Sequence, residues 1–155
     1  MKLKYYLFHN TIVLLCLVFS PIKEKLIAEE VNFAHALVTT STGIEIPVEV
    51  ADTYGKRRLG LGNRLILKKN WGMLFVFEKR KAHRFWMKNM KFPLDIIWLD
   101  NHRIVHILKN VQPAKFGEIP PILEPLMPAN FVLEIAAGRA NELKLKKGDF
   151  LSYKF

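Results

Sequence analysis

Apolar residues along this chain come in short runs separated by charge, proline and glycine, and many of the runs have a period of two. Ile44, Ile46, Val48 and Val50 alternate with Glu45, Pro47 and Glu49, which is the pattern of a strand with one buried and one wet face. Ala34–Thr40 precedes it across Ser41-Thr-Gly43, so the two segments read as a hairpin, with Pro47 marking an edge. Ala51-Asp52-Thr53 caps a short helix through Leu59, with Asp52 or Thr53 supplying the capping oxygen and Gly60 or Gly62 ending the helix. Arg64 follows in a loop, and Leu65–Asn70 leads onward.

The pattern is densest over Gly72–Asp100, which holds Trp86 and Trp98, two of the three tryptophans. Gly72–Phe77 is a short apolar run, favouring a buried strand over a helix. Glu78–Lys81 reads as a turn, Phe85–Asn89 as a second strand, and Lys91-Phe-Pro93 as a corner, because Pro93 cannot donate a ladder hydrogen bond. Leu94–Leu99 is the third strand. Its alternation puts Leu94, Ile96 and Trp98 on one face and Asp95, Ile97 and Leu99 on the other. Asp95 therefore interrupts an apolar face. It must lie at the mouth of the core or be paired, since an unpaired buried charge is too costly.

Asp100-Asn-His102 turns into a strand over Arg103–Val111. Gln112–Asn130 is a long segment with Pro113, Pro120, Pro121, Pro125 and Pro128, and with apolar Ile122, Leu123, Leu126 and Met127. It is either a lid or docking segment, or a cover for a sheet edge. Phe131–Ala137 is a strand ended by Gly138, Arg139–Lys146 a short helix or turn, and Phe150–Phe155 the last strand after Lys147-Gly-Asp149. The sum is a mainly β, β-rich α+β domain over residues 29–155. It has roughly eight short strands and one or two short helices, arranged as an antiparallel sandwich or partly closed barrel.

Three pieces of the central stretch, GMLFVF, FWMKN and PLDIIWLD, resemble the signature of the uncharacterised bacterial and archaeal family DUF192. Gly60-Leu61-Gly-Asn-Arg64 resembles its Gly-Leu-x-x-Arg element. Val132–Gly138 followed by Lys147-Gly-Asp149 resembles its closing element. The resemblance covers roughly Phe33 to Phe155. The chain departs from the pattern at Met90, where a small polar residue follows Lys-Asn, and at Gly62, where Met is usual. The resemblance implies a small, mainly β, often exported domain and no established activity.

Charge and the N-terminus add location. Lys2 and Lys4 precede a mostly apolar run from Tyr5 to Phe19, the layout of a secretory signal. Leu26-Ile-Ala28 offers cleavage before Glu29; the alternative is an uncleaved anchor. Either way the expectation is an exported, periplasmic or otherwise extracytoplasmic domain, or one held at the inner membrane by residues 1–28. Cys16, the single cysteine, lies inside this segment and lacks the small residue that precedes a lipidated cysteine. The remaining domain has no thiol for a disulfide, a nucleophile or a metal, and at about 125 residues it can build a core without one. The formal charge is +10, of which residues 1–28 account for +3 and the rest for +7. A basic surface admits an anionic membrane surface as partner. Nucleic acid is not expected, because no binding motif accompanies the charge.

The candidate chemistry is thin. His102 and His106 lie in a strand, about 13 Å apart, and predict no metal site. No nucleophile elbow, phosphate loop or dinucleotide fingerprint is present, so no cofactor is indicated and the chain leans away from enzymes. Polar residues set among apolar strands remain: Arg64, Trp86, Lys88, Asn89 and Asp95 as candidate binding residues, with Asp95 and Glu134 as candidate acid and base. A structural reading competes, with Asp95 paired to Arg64 and Asn89 bonding its own backbone before Pro93. Trp86 beside Lys88 is either a ligand platform or core under a loop. Three functions follow. The first is a binding module of the cell envelope for a small ligand or an envelope protein. The second is a small hydrolase using Asp95 and Glu134, which requires the carboxyls to converge roughly 5–10 Å apart for glycosidic chemistry. The third is a membrane-associated structural protein.

Overall fold

A single seven-stranded sheet curls until its two ends meet. The computed structural model describes residues 31–155, Phe116 excepted; the expected signal or anchor, Cys16 and the cleavage site at Ala28 lie outside the described residues. The strands are β1 (Ala34–Thr40), β2 (Glu45–Ala51), β3 (Gly72–Lys81), β4 (Leu94–Asp100), β5 (Arg103–Val111), β6 (Ala129–Ala136) and β7 (Leu151–Lys154), with two short helices, α1 (Tyr54–Leu59) and α2 (Arg139–Glu142). The order across the sheet is β5-β4-β6-β3-β2-β1-β7. Closure is made where β5 begins. Arg103 bridges Phe150, Ile104 donates to the Asp149 carbonyl at 2.8 Å and Leu151 donates to the His102 carbonyl at 2.8 Å. The domain is therefore mainly β and partly closed as a barrel. Among the described residues, no helix is long and apolar enough to cross a membrane.

Local chemistry explains most elements. Thr53 caps α1 by accepting from the Lys56 amide at 3.3 Å, and Gly60 ends it at φ 52° with its amide on the Lys56 carbonyl. That left-handed turn suits glycine. The β1–β2 hairpin turns at Gly43, φ 83°. β4 keeps its expected faces. Ile97 and Leu99 join the cluster inside the curl with Val38, Val48, Leu74, Leu133 and Ala140. Leu94, Ile96 and Trp98 join a second cluster on the outer face with Met73, Phe75, Met87 and Val132. Trp98 is fully buried and its indole N–H donates to the His83 carbonyl at 2.9 Å, which satisfies the one donor that burial would otherwise strand.

Four expectations need correction. β2 and β3 run parallel, with Val48 opposite Gly72, so the sheet is mixed; residues 52–71, including α1, are the crossover that a parallel pair needs. Pro47 lies on an interior strand, and is tolerated because β3 joins β2 only from Val48 onward. Glu78–Lys81 continues β3, with a register shift between Val76 and Lys81. Finally, 85–89 is not a strand, which leaves seven where roughly eight were expected. β3 and β4 already have partners on both sides, so this segment has no free edge. It lies across the outer face and buries Met87, touching the ladder system only where Phe85 and Leu123 exchange amide bonds of 2.8 Å each.

Candidate functional site

The outer face of the sheet carries an open cleft of about 410 Å³, between α1 with its following turn and the 84–90 segment. Its apolar wall is Leu61, Phe75, Phe77, Phe85 and Met90. Phe85 packs edge-on against Phe75 with ring centres 4.9 Å apart, and against Trp98 at 5.9 Å. Trp86 stands at the mouth, 55% exposed, with the Lys88 ammonium 5.2 Å from its ring centre. Arg57, Arg58, Arg84 and Lys88 rim the opening. None of the four belongs to an ion pair among the described residues. Arg57 is held by two carbonyls, donating to Asp52 at 2.6 Å and Val76 at 2.9 Å, so its guanidinium lies 5.1 Å over Phe77. Phe77 also stacks on His83, ring centres 3.6 Å apart. Burial holds the His83 imidazole below its ordinary value, outweighing the bond its Nε2 donates to the Lys79 carbonyl.

Glu134 lies in the cleft lining, although only 5% of it is exposed. β6 alternates Leu133 and Ile135 to the inner cluster and Val132 to the outer one, so residue 134 faces outward between Met73 of β3 and Ile96 of β4. No hydrogen bond or ion pair reaches its carboxyl from any described residue. Burial pushes that carboxyl up to about 8. The group is therefore mostly a neutral carboxylic acid at pH 7, a hydrogen-bond donor set in an apolar wall. A strongly perturbed group in a cleft is a functional-site signal.

The expected site residues part company here. Trp86, Lys88 and Glu134 come together in the cleft. Asp95 does not: it points to the inner face, opposite the Glu134 side of the sheet, so the two carboxyls share no pocket. Its oxygens accept from the Asn110 amide and the Ala140 amide, each at 2.8 Å. Asn110 sits at φ 53° in the bulge where β5 slips register against β4, and Ala140 is in the first turn of α2. Asp95 thus ties a bulge and a helix start to the sheet. It makes no pair with Arg64, which instead grips Glu49 through two bonds of 2.8 and 2.6 Å and lies 5.4 Å over the Phe33 ring. Arg64 lies in the 52–71 crossover and meets Glu49, which sits opposite the outer-cluster residue Met73, whereas Asp95 is on the inner face with Ile97 and Leu99. Asn89 is in the left-handed region, φ 58°, and contributes its carbonyl to the Asn63 amide at 2.9 Å, which joins the two segments that wall the cleft. Sequence reasoning missed Arg57, Arg58, Arg84 and the Phe75–Phe77–Phe85 wall. Arg57 and Arg58 stand in a basic run, Lys56-Arg-Arg58, but nothing local says which aromatic rings such a run will face. Both positions that depart from the family pattern, Gly62 and Met90, line this cleft.

A small, curled, mainly β domain with a cation-rimmed aromatic cleft is the class that fold and site define. The chain belongs to the DUF192 family, described as "Uncharacterized ACR", whose model matches residues 37–153. It is similar to a UPF0127 protein of Thermococcus gammatolerans, 32% identical over 108 residues, and to another of Thermococcus kodakarensis, 30% identical over 108 residues. Each match takes in 68% of this chain and 65% or 64% of the relative, so the chain spans just under two thirds of their length. Among solved structures it resembles a Sinorhizobium meliloti protein provisionally named a transcription regulator, with a TM-score of 0.71 and 30% identity over 80% of this chain and 97% of that one. It also resembles a Novosphingobium aromaticivorans protein of unknown function, with a TM-score of 0.66 and 31% identity over 77% and 84% of the two chains.

Proposed function

We propose that this protein is a ligand-binding module of the cell envelope, with the cleft between α1 and the 84–90 segment as its site. The observation that carries the reading is the cleft itself: an apolar aromatic wall, four cations outside any ion pair among the described residues and one buried carboxyl, in a volume within the range of small-molecule sites. The separation of Asp95 from Glu134 supports binding over hydrolysis, since two-carboxylate chemistry needs both groups at one bond. The provisional regulator name of the Sinorhizobium relative would suggest nucleic acid. Against that, α1 and α2 have six and four residues, too short for the recognition helix of the common groove-reading motifs. The two lysines ahead of the apolar run at 5–19 support export or anchoring.

A thermal-shift screen of the purified full chain against small organic anions, cations and neutral sugars tests the site. Hits should raise the melting temperature of the native chain and lose their effect in Trp86→Ala and Lys88→Ala. Hits indifferent to both substitutions would remove the cleft from consideration. Fractionation of cells tests the location: retention in membranes at high salt marks an N-terminal anchor, release by salt marks electrostatic attachment, and recovery with cytosolic proteins would sink the envelope reading.

A further inference from the structure

We infer that the cleft takes a small organic anion with a planar ring, its charge held at the Arg57–Arg58–Arg84–Lys88 rim and its body seated over the aromatic wall beside Glu134. The inference rests on the cleft being a binding site and names what it binds. Four cations share one mouth, and Glu134 is the only carboxylic acid among the described residues that line it. With Glu134 neutral the mouth carries four positive charges, of which, among the described residues, only Arg57 has a carboxylate, Asp52, close enough to act on it; the excess is one that an anion relieves and a cation aggravates. Charge alone would suit an inorganic ion, but the wall argues for more. Phe77, Phe85 and Trp86 line the cleft over a buried Phe75; Phe77 is already stacked on His83, Trp86 is the exposed ring, and the guanidinium over Phe77 and the ammonium over Trp86 show cations and rings alternating. A planar ring can add stacking and edge contacts to that series, whereas an aliphatic chain gains only the burial of its apolar surface.

Glu134 adds a proton condition. The charged and titratable groups that line the cleft with it are Tyr54, Arg57 and Arg58 from α1, and Arg84 and Lys88 from the 84–90 segment; burial alone shifts its carboxyl, so the four cations stand at the rim and not against it. Its neighbours on β3 and β4, Met73 and Ile96, do not titrate. Ionised, Glu134 would put a negative charge beside the ligand's own and would lose its donor. Anion binding should therefore hold Glu134 in its protonated form and weaken as that proton leaves.

Isothermal titration of the full chain with 2-naphthoate, 2-naphthylmethylammonium and inorganic phosphate, at pH 6.5 and pH 9, tests this. Saturable 2-naphthoate binding is expected at pH 6.5, with the ring cation and phosphate each at least about tenfold weaker. Raising the pH to 9 leaves roughly one tenth of a group titrating near 8 protonated, so naphthoate should weaken about tenfold. Glu134→Gln, isosteric and neutral, should bind naphthoate at both pH values without that loss. Arg84→Ala, an exposed rim substitution, should weaken it at both. No saturable naphthoate binding, or phosphate or the ring cation binding as tightly, overturns the ligand class and leaves the cleft reading to the thermal-shift screen. A pH loss that persists in Glu134→Gln overturns the role of that carboxyl alone.

Discussion

At the scale of the residue, two buried carboxyls show how placement decides chemistry. Asp95 meets two amides; Glu134 meets none among the described residues and is neutralised by burial. The consequence for stability has a definite sign. Glu134's value is raised from 4.5 unfolded to about 8 folded, so between these pH values the folded chain holds a proton that the unfolded chain has released. Its favourable contribution is complete below pH 4.5, declines as pH rises and is lost above about 8, a swing on the order of 5 kcal/mol. Urea unfolding at pH 5, 7 and 9 should show the native chain losing several kcal/mol relative to Glu134→Gln across that range; parallel curves would mean the proton sits elsewhere. Asp95→Ala should cost about 2–4 kcal/mol at pH 7, because two buried or half-buried amides lose their acceptor. The same substitution should leave 2-naphthoate affinity unchanged, since Asp95 faces away from the cleft.

At the scale of the element, the β3–β6 pairing is the support under the site. A Cβ at Gly72 would stand 2.6 Å from the Glu134 carbonyl oxygen and 2.9 Å from Ile135 Cγ2, so the strands approach as closely as they do only because that residue has no side chain. Gly72→Ala should destabilise by about 1–3 kcal/mol through overpacking, read as a lower urea midpoint, and should weaken ligands of the cleft by displacing Glu134. Of the two readings that the sequence left open for Gln112–Asn130, a lid or docking segment and a cover for a sheet edge, residues 112–128 come nearer the second, but they cover a face rather than an edge. Leu123 is stitched to Phe85 and packs on the outer cluster, and Trp86 stays exposed beside it. Ile119, Ile122, Leu126 and Met127 are exposed on the same segment. It covers part of the outer face and leaves the cleft open.

At the scale of the whole molecule, a curled sheet has two apolar faces and needs two covers. The inner face closes on itself with α2 as plug. The outer face over β3, β6 and β4 is covered by irregular chain, and the cleft is the gap in that cover. Backbone amides of β4, β6 and β3, flanked on both sides, should exchange hydrogen slowest. The 112–128 segment and the end of β7, which is paired along one side, should exchange first. Peptide-level exchange measured by mass spectrometry checks this; uniform protection would mean that the outer cover is as firmly held as the sheet.

What the amino-acid sequence determined by itself is the set of features whose causes are local. The β1–β2 hairpin, the capped and glycine-terminated α1, the two faces of β4 and the polarity of its Asp95 all follow from alternation, turn residues and caps within a few positions. Each is set by which side chains a short stretch of backbone can hold. The parallel β2–β3 pair, the closure of β5 on the approach to β7 and the exclusion of 85–89 from the sheet were decided only in the tertiary structure, because each depends on which edges remain free once other strands have paired. The cleft belongs to that second group. Arg57, Phe75, Arg84, Trp86 and Glu134 come from four separate stretches; the family signature holds Phe75, Trp86 and Glu134, but no local period says that they meet. What brings them together is the burial of the sheet's outer face under chain that had no other edge to join.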